Sequence, residues 1–396
     1  MTSNQEFNQT ARVPFYRDVK ILAIIAQIVF VVLAVLTVWV LGQNLTTNLK
    51  SRNLSTSFEF LTRTAGFQVA EGSAFGVPYS SEDSYLKAVT VGLFNTLRVS
   101  ILGMVLATIL GVLMGVARLS NNWLVNRIAL VYVEVFRNTP LLVQLIFWYF
   151  AGVLTLPKVK QALEFGGAYL SNQGFFMPWL VQKPDSISFI PVWIIAIVAA
   201  VVTFVSLERR RVNLGRNDPA GWIAFFVLGA VLVAGYFVLG QPLELDLPRT
   251  TNFGITGGAS LSPEFAALLI GLVVYTASFI AETVRAGIQA VNKGQWEAAR
   301  AIGMSYSQTL QLIVLPQALR VIIPPLGNQY LNLTKNSSLG TAIGFPDMFN
   351  VLNTAGNQSG FNLQTMLIAL LVYLVLSLTI SSFVNLYNRA TRLKTR

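Results

Sequence analysis

Two acid–base pairs stand three residues apart inside otherwise apolar sequence: Glu134 with Arg137, and Glu282 with Arg285. Charge is costly in such surroundings and is usually functional where it persists. The i, i+3 spacing puts each pair on one helix face, so each could line a polar path or simply neutralise itself. Asn138 and Thr139 follow the first pair, just before Pro140. Proline donates no backbone hydrogen bond, so the carbonyl of Phe136 is left open and the helix is expected to break. A third polar group, Lys335, Asn336, Ser337 and Ser338, follows Pro324, Pro325 and Gly327. Those three residues are expected to break a second helix and to free polar backbone near a channel. Arg98 is expected to snorkel to headgroups. With no cysteine and no histidine in the chain, disulfides, thiolate or imidazole zinc sites and a Ser-His-Asp triad are excluded. No catalytic and no metal-binding residue is assigned.

These groups need apolar elements to hold them. The chain is 54% hydrophobic and 11% charged, against about a quarter charged in soluble domains. Eight stretches approach the ~20 apolar residues that a spanning helix needs: 21–42, 91–117, 128–153, 189–207, 220–240, 264–284, 317–335 and 364–386. The first is too long for a signal-peptide core and lacks a cleavage site, so it reads as a retained anchor. With the N-terminus inside, 17 Lys and Arg residues fall in inside segments and 8 in outside ones, the asymmetry that sets topology. Both termini are therefore expected in the cytoplasm. The net charge of +11 is explained by these loops, and no nucleic-acid partner is expected. Residues 43–90 read as a polar outside region, and 155–262 as an inserted span pair flanked by outside loops.

One segment is out of character with its apolar neighbours: EAARAIGMSYSQTLQLIVLP, from Glu297 to Pro316. Asn292 can cap a helix with Gln295 at capping-box spacing, and Ser305 can do the same with Gln308. Gly303 can close the first helix in the left-handed conformation, and Pro316 marks the end of the second or a kink. Two short surface helices meeting at an elbow are expected. The first presents Trp296, Glu297, Arg300 and the small Ala298 and Ala299, which let another protein approach closely.

Glu297-Ala298-Ala299, Gly303, Ile313, Leu315 and Pro316 fill every defining position of a spaced pattern. It resembles the EAA loop of bacterial ABC-importer permeases. GLFNTLRVSILGMVLATILGVLMGVARLS (92–120), EVFRNTPLLVQLIFWYF (134–150), YTASFIAETVRAGIQAVNKGQWEAARAIGMS (275–305) and LPQALRVIIPPLGNQYLNLTKNSSL (315–339) are similar, in order, to the polar amino-acid branch. The additions resemble those of its long, general amino-acid permeases. The resemblance implies an all-α integral membrane protein of about eight transmembrane helices with a five-helix type I core. Its parts are an N-terminal span with a polar periplasmic region (1–90), a first core part (91–153), the insertion (154–263), and a second core part (264–396) with the coupling loop (285–316).

It further implies a transport subunit, not an enzyme, in a bacterial inner membrane, moving L-amino acids of broad, polar or charged type inward. The EAA helix would dock on a dimer of a separate ATPase subunit, which would hold ATP and Mg, since this chain has no G-x-x-x-x-G-K-[ST] phosphate loop. The other implied partners are a related second permease as heterodimer, a periplasmic amino-acid-binding protein and the lipid bilayer. Glu134, Arg137, Asn138, Thr139, Glu282, Arg285, Lys335, Asn336 and Ser337 are the residues expected along the substrate path. A stand-alone ion-coupled secondary carrier is the rival; it needs deep coupling carboxylates in several spans, often with repeat symmetry, and few deep acids and no repeat are present.

Overall fold

The structure, a computed structural model, describes residues 19–51, 57–69, 71, 79–184, 186–214, 219–251 and 254–391. Arg12, Arg17, Arg52, Arg216, Arg392, Lys394 and Arg396 of the charge count lie outside the described residues. The chain divides into a unit of residues 1–60 and a unit of residues 61–396. In the first, α1 (Val19–Ser51) is apolar on every side, with Phe30, Val38 and Trp39 exposed.

The second unit opens with a short polar segment leading into α2 (Tyr85–Ala117). Ser84 caps α2 by accepting from the Lys87 N–H. The neighbouring Asp83 carboxyl is held below the usual carboxylate range, chiefly by its hydrogen bond from Lys87. At 33 residues α2 is about 50 Å long, well beyond a ~30 Å hydrocarbon core. Then come α3 (Trp123–Asn138), α4 (Leu141–Phe147), a π-turn (Trp148–Gly152) and a 3-10 turn (Val153–Thr155). The axes of α3 and of the segment after Pro140 differ by 105°.

The inserted region is not merely loop around two spans. Strands β1 (Leu163–Phe165), β2 (Ala168–Ser171) and β3 (Gly174–Met177) form an antiparallel meander. Gly166 and Gly167, both at positive φ, join β1 to β2, because a two-residue hairpin turn of this kind needs left-handed residues. β4 (Trp179–Gln182) leads to α5 (Ile190–Leu214) and α6 (Ala220–Val238), and β5 (Leu243–Asp246) pairs back on β4. β6 (Arg249–Thr250) and β7 (Ile255–Thr256) form a small ladder; β8 (Ala259–Leu261) pairs with β3 and delivers the chain to α7 (Pro263–Gln289).

The rest is helical: α8 (Lys293–Ala301), α9 (Tyr306–Thr309), a π-turn (Leu310–Val314), α10 (Leu315–Asn336), a 3-10 turn (Ser337–Ile343), α11 (Met348–Ser359) and α12 (Asn362–Thr391). Among the described residues seven helices are long and apolar enough to span a membrane, and the bent α3–α4 pair makes an eighth when read as one span.

α2 and α7 make the most extensive helix contact, and glycine explains why. A Cβ at Gly111 would stand 2.6 Å from Ile280 Cβ, and one at Gly115 2.7 Å from the Ala281 carbonyl oxygen. Small residues let membrane helices approach where burial in lipid offers no driving force. Around this seam Phe265, Leu268, Leu272, Ile280, Leu333 and Phe345 are fully buried. The Thr108 and Tyr330 hydroxyls meet at 2.8 Å between α2 and α10. Asn95 donates to the Pro346 carbonyl (2.9 Å), and Thr96 accepts from the Met348 N–H (3.0 Å), tying α2 to the start of α11.

Two sequence expectations fail here. Arg98 does not reach for headgroups: it is buried, 2.9 Å from Glu71, with its guanidinium 4.1 Å from the Phe265 ring centroid. Glu71 also accepts from the Ser262 N–H at the head of α7 (3.0 Å). Pro324 and Pro325 do not break α10, which runs through both. Packing on either side holds it: Gly287 of α7 lies against Ile322, and Gly327 lets Val384 of α12 approach within 2.7 Å of a built Cβ. Of the two outcomes expected at Pro316, an end or a kink, the end does not occur. It follows directly on the π-turn Leu310–Val314 at the start of α10, and residues 306–343 continue as one helical run.

Candidate functional site: a broken helix and a surface elbow

Glu134, Arg137, Asn138 and Thr139 lie in the last turn of α3 and at its break. The first three side chains are exposed and Thr139 is half-buried. Of the two alternatives open for Glu134 and Arg137, self-neutralisation as an ion pair is not seen. Glu134 instead accepts from the Asn138 amide (3.1 Å), and the Arg137 guanidinium stands 5.3 Å from the Phe279 ring centroid on α7. Glu282 and Arg285, one and two turns beyond Phe279, do pair: the guanidinium donates to both carboxylate oxygens and to Gln289 (2.6 Å). The Arg137–Phe279 contact brings the first group onto α7 about one turn from Glu282, and Tyr132 ties α3 to α7 by donating to the Val274 carbonyl (2.7 Å).

Lys335, Asn336 and Ser337 lie apart from this group. Lys335 is exposed, Ser337 is buried and donates to the Thr334 carbonyl (2.8 Å), and no hydrogen bond among the described residues joins them to the α3–α7 cluster.

Sequence reasoning opened the Phe136 carbonyl but missed what closes it. The Gln144 amide, buried in α4, donates to the Phe136 and Thr139 carbonyls at 2.9 Å each. A lone amide in LLVQLIF, four residues past a proline, was the available signal.

The elbow forms as its chemistry dictates. Asn292 caps α8 by accepting from the Gly294 N–H (2.8 Å), but Gln295 turns toward Gln317 instead of completing a box. Gly303 closes α8 at φ 81°. Its N–H reaches the Arg300 carbonyl and that of Met304 reaches Ala299, which is the Schellman closure. Ser305 and Gln308 then form a full capping box. Trp296 stacks on Tyr306 across the turn, centroids 5.6 Å apart, a brace the sequence reading did not include. Ala299 is buried and Ile313 and Leu315 are half-buried, so these hold the elbow together; Glu297, Ala298, Arg300, Gly303 and Pro316 face outward. Ile302 (76% exposed) and Tyr306 (63%) add apolar surface beside them. An acid, a base, small residues and exposed apolar groups on one rigid turn make a surface built to be covered.

Residues 107–393 match the family model described as the binding-protein-dependent transport system inner membrane component. The chain belongs to this family. Its permease relatives include the general L-amino acid transport system permease protein AapQ of Rhizobium johnstonii, 41% identical over 372 residues, 94% of this chain and 92% of that protein. The glutamate/glutamine/aspartate/asparagine transport system permease protein BztB of Rhodobacter capsulatus is 40% identical over 413 residues, 96% of each. A crystal structure of an amino acid ABC transporter with histidines aligns with TM-score 0.47 at 22% identity, over 77% of this permease and 95% of that chain. Family membership disfavours the stand-alone carrier and makes the permease a multi-pass membrane protein.

Proposed function

We propose that the chain is the membrane subunit of an ATP-driven importer for L-amino acids, docked on a separate ATPase through α8. The observation that carries this is the elbow: a capped, braced helix whose outward residues are those of the EAA pattern, joined without a loop to α10. The substrate class rests on the full-length likeness to permeases named for general L-amino acid and for glutamate, glutamine, aspartate and asparagine transport. A binding protein outside and a related second permease complete the assembly, with both termini of this chain in the cytoplasm of a bacterium. ATP and Mg bind the partner ATPase. Arg137 and Arg285 supply two cations, Glu134 and Glu282 two carboxylates, and Asn138 and Thr139 an amide and a hydroxyl to a zwitterionic solute, and Lys335, Asn336 and Ser337 flank its route.

Reversing the outward carboxylate is the direct test. Glu297→Arg is expected to leave the permease folded in the membrane while uptake into vesicles of the reconstituted complex falls at least tenfold. Full uptake by that variant refutes the docking role. The chain has no cysteine, so Ala298→Cys offers one attachment point for a cross-linker, which should capture the ATPase subunit during turnover.

A further inference from the structure

The 105° turn between α3 and the segment after Pro140 has to be held by something. Proline removes the N–H that would have bonded Phe136 and leaves the Thr139 carbonyl at the break without a helical partner. In a membrane no water replaces such bonds, and an open carbonyl is expensive. The Gln144 side chain takes both: its two amide hydrogens go to the two carbonyls at 2.9 Å each, and only 4% of the residue is exposed. The same residue's backbone N–H reaches the Pro140 carbonyl (3.2 Å). Side chain and main chain of Gln144 thus bracket the turn from the α4 side. The next residue, Leu145, is fully buried, with Gly271 of α7 so close that a Cβ there would meet it at 2.5 Å. α4 is fixed against α7, and the turn sets the direction of α3's end relative to it.

We infer that Gln144 is the positioning residue of this permease. Its amide substitutes for the backbone donors missing at Pro140, sets the angle of the broken helix, and so aims Glu134, Arg137 and Asn138. The helix-setting part stands on geometry alone; the consequence for transport rests on the proposed reading that α3's end lines the substrate path.

The absence of native cysteine allows a direct distance measurement on the full-length permease in nanodiscs. Leu124→Cys and Phe150→Cys, both 58% exposed, take nitroxide labels on the two arms. On a straight helix these positions would lie about 39 Å apart, and with the observed turn about 24 Å. Pulsed electron resonance of the parent should give one narrow distribution near the shorter value. Gln144→Met, which keeps the length and removes both donors, should shift or broaden it toward longer distances by at least about 5 Å. Gln144→Asn keeps the donors but loses reach; it should give a smaller shift, and it decides the matter if the methionine variant does not fold. An unchanged distribution in the variants that fold overturns the inference. In the reconstituted complex, Gln144→Asn should raise the uptake KM about fivefold with kcat changed less than twofold. A shifted distance with unaltered KM sustains the helix-setting role and refutes the path assignment.

Discussion

At the scale of single residues, the second unit spends buried polar groups on joining segments. Glu71 bridges the polar region before α2, Arg98 on α2 and the N–H of Ser262, the N-cap of α7. Both charged side chains are about 95% buried. Removing one partner of such a pair strands the other, at about 3–5 kcal/mol, while replacing both by apolar groups can be near neutral. Glu71→Ala should therefore lower the thermal midpoint of the purified permease well beyond Glu71→Met combined with Arg98→Met; equal midpoints for the two would contradict the bridge. The partner could not be read from sequence, because nothing in the polar stretch around residue 71 has a period that points inward. The Glu134–Arg137 spacing was legible as a pair, yet the competing Asn138 amide one turn on took the carboxylate.

Among elements, glycine placement carries the helix packing. Gly111 and Gly115 let α2 and α7 touch backbone to side chain, so Gly111→Ala should cost about 1–3 kcal/mol by overpacking. A melting curve superimposable on the parent's would show that the seam can spread at no cost. The elbow was almost fully readable: cap, left-handed glycine and capping box are local chemistry, and local chemistry wins where little tertiary packing opposes it. α10 shows the reverse. Two adjacent prolines argued for a break, and contacts from α7 and α12 overrode them. The β-strands were missed because each has four residues or fewer, too few for a period to show. Gly166-Gly167 between two apolar runs was a hairpin signal that went unread.

At the scale of the whole molecule, the inserted strands and the α5–α6 pair leave and rejoin the core at neighbouring points. Tyr149 meets Glu264 at 2.8 Å (Oη to Oε1), bringing the end of the first core part against the start of the second. A short link from Leu156 to Ser262 in place of residues 157–261 should thus give a permease that stays monodisperse in detergent and melts in one transition. Aggregation of that variant would mean that the insertion is needed to build the core. Eight spans were legible because apolar length is a coarse property, robust to local error. How the insertion folds back on itself was not, because β4 and β5 are some sixty residues apart in the chain.

The unbroken run from Tyr306 to Ile343 spans 38 residues, about 57 Å if wholly α-helical. One degree of tilt at the elbow would displace the far tip of a straight rod of that length by about 1 Å, and the π-turn and the prolines along the run are where such a tilt would be absorbed. On the proposed reading, a partner that grips the near end acts on the far end only through this one continuous helical run.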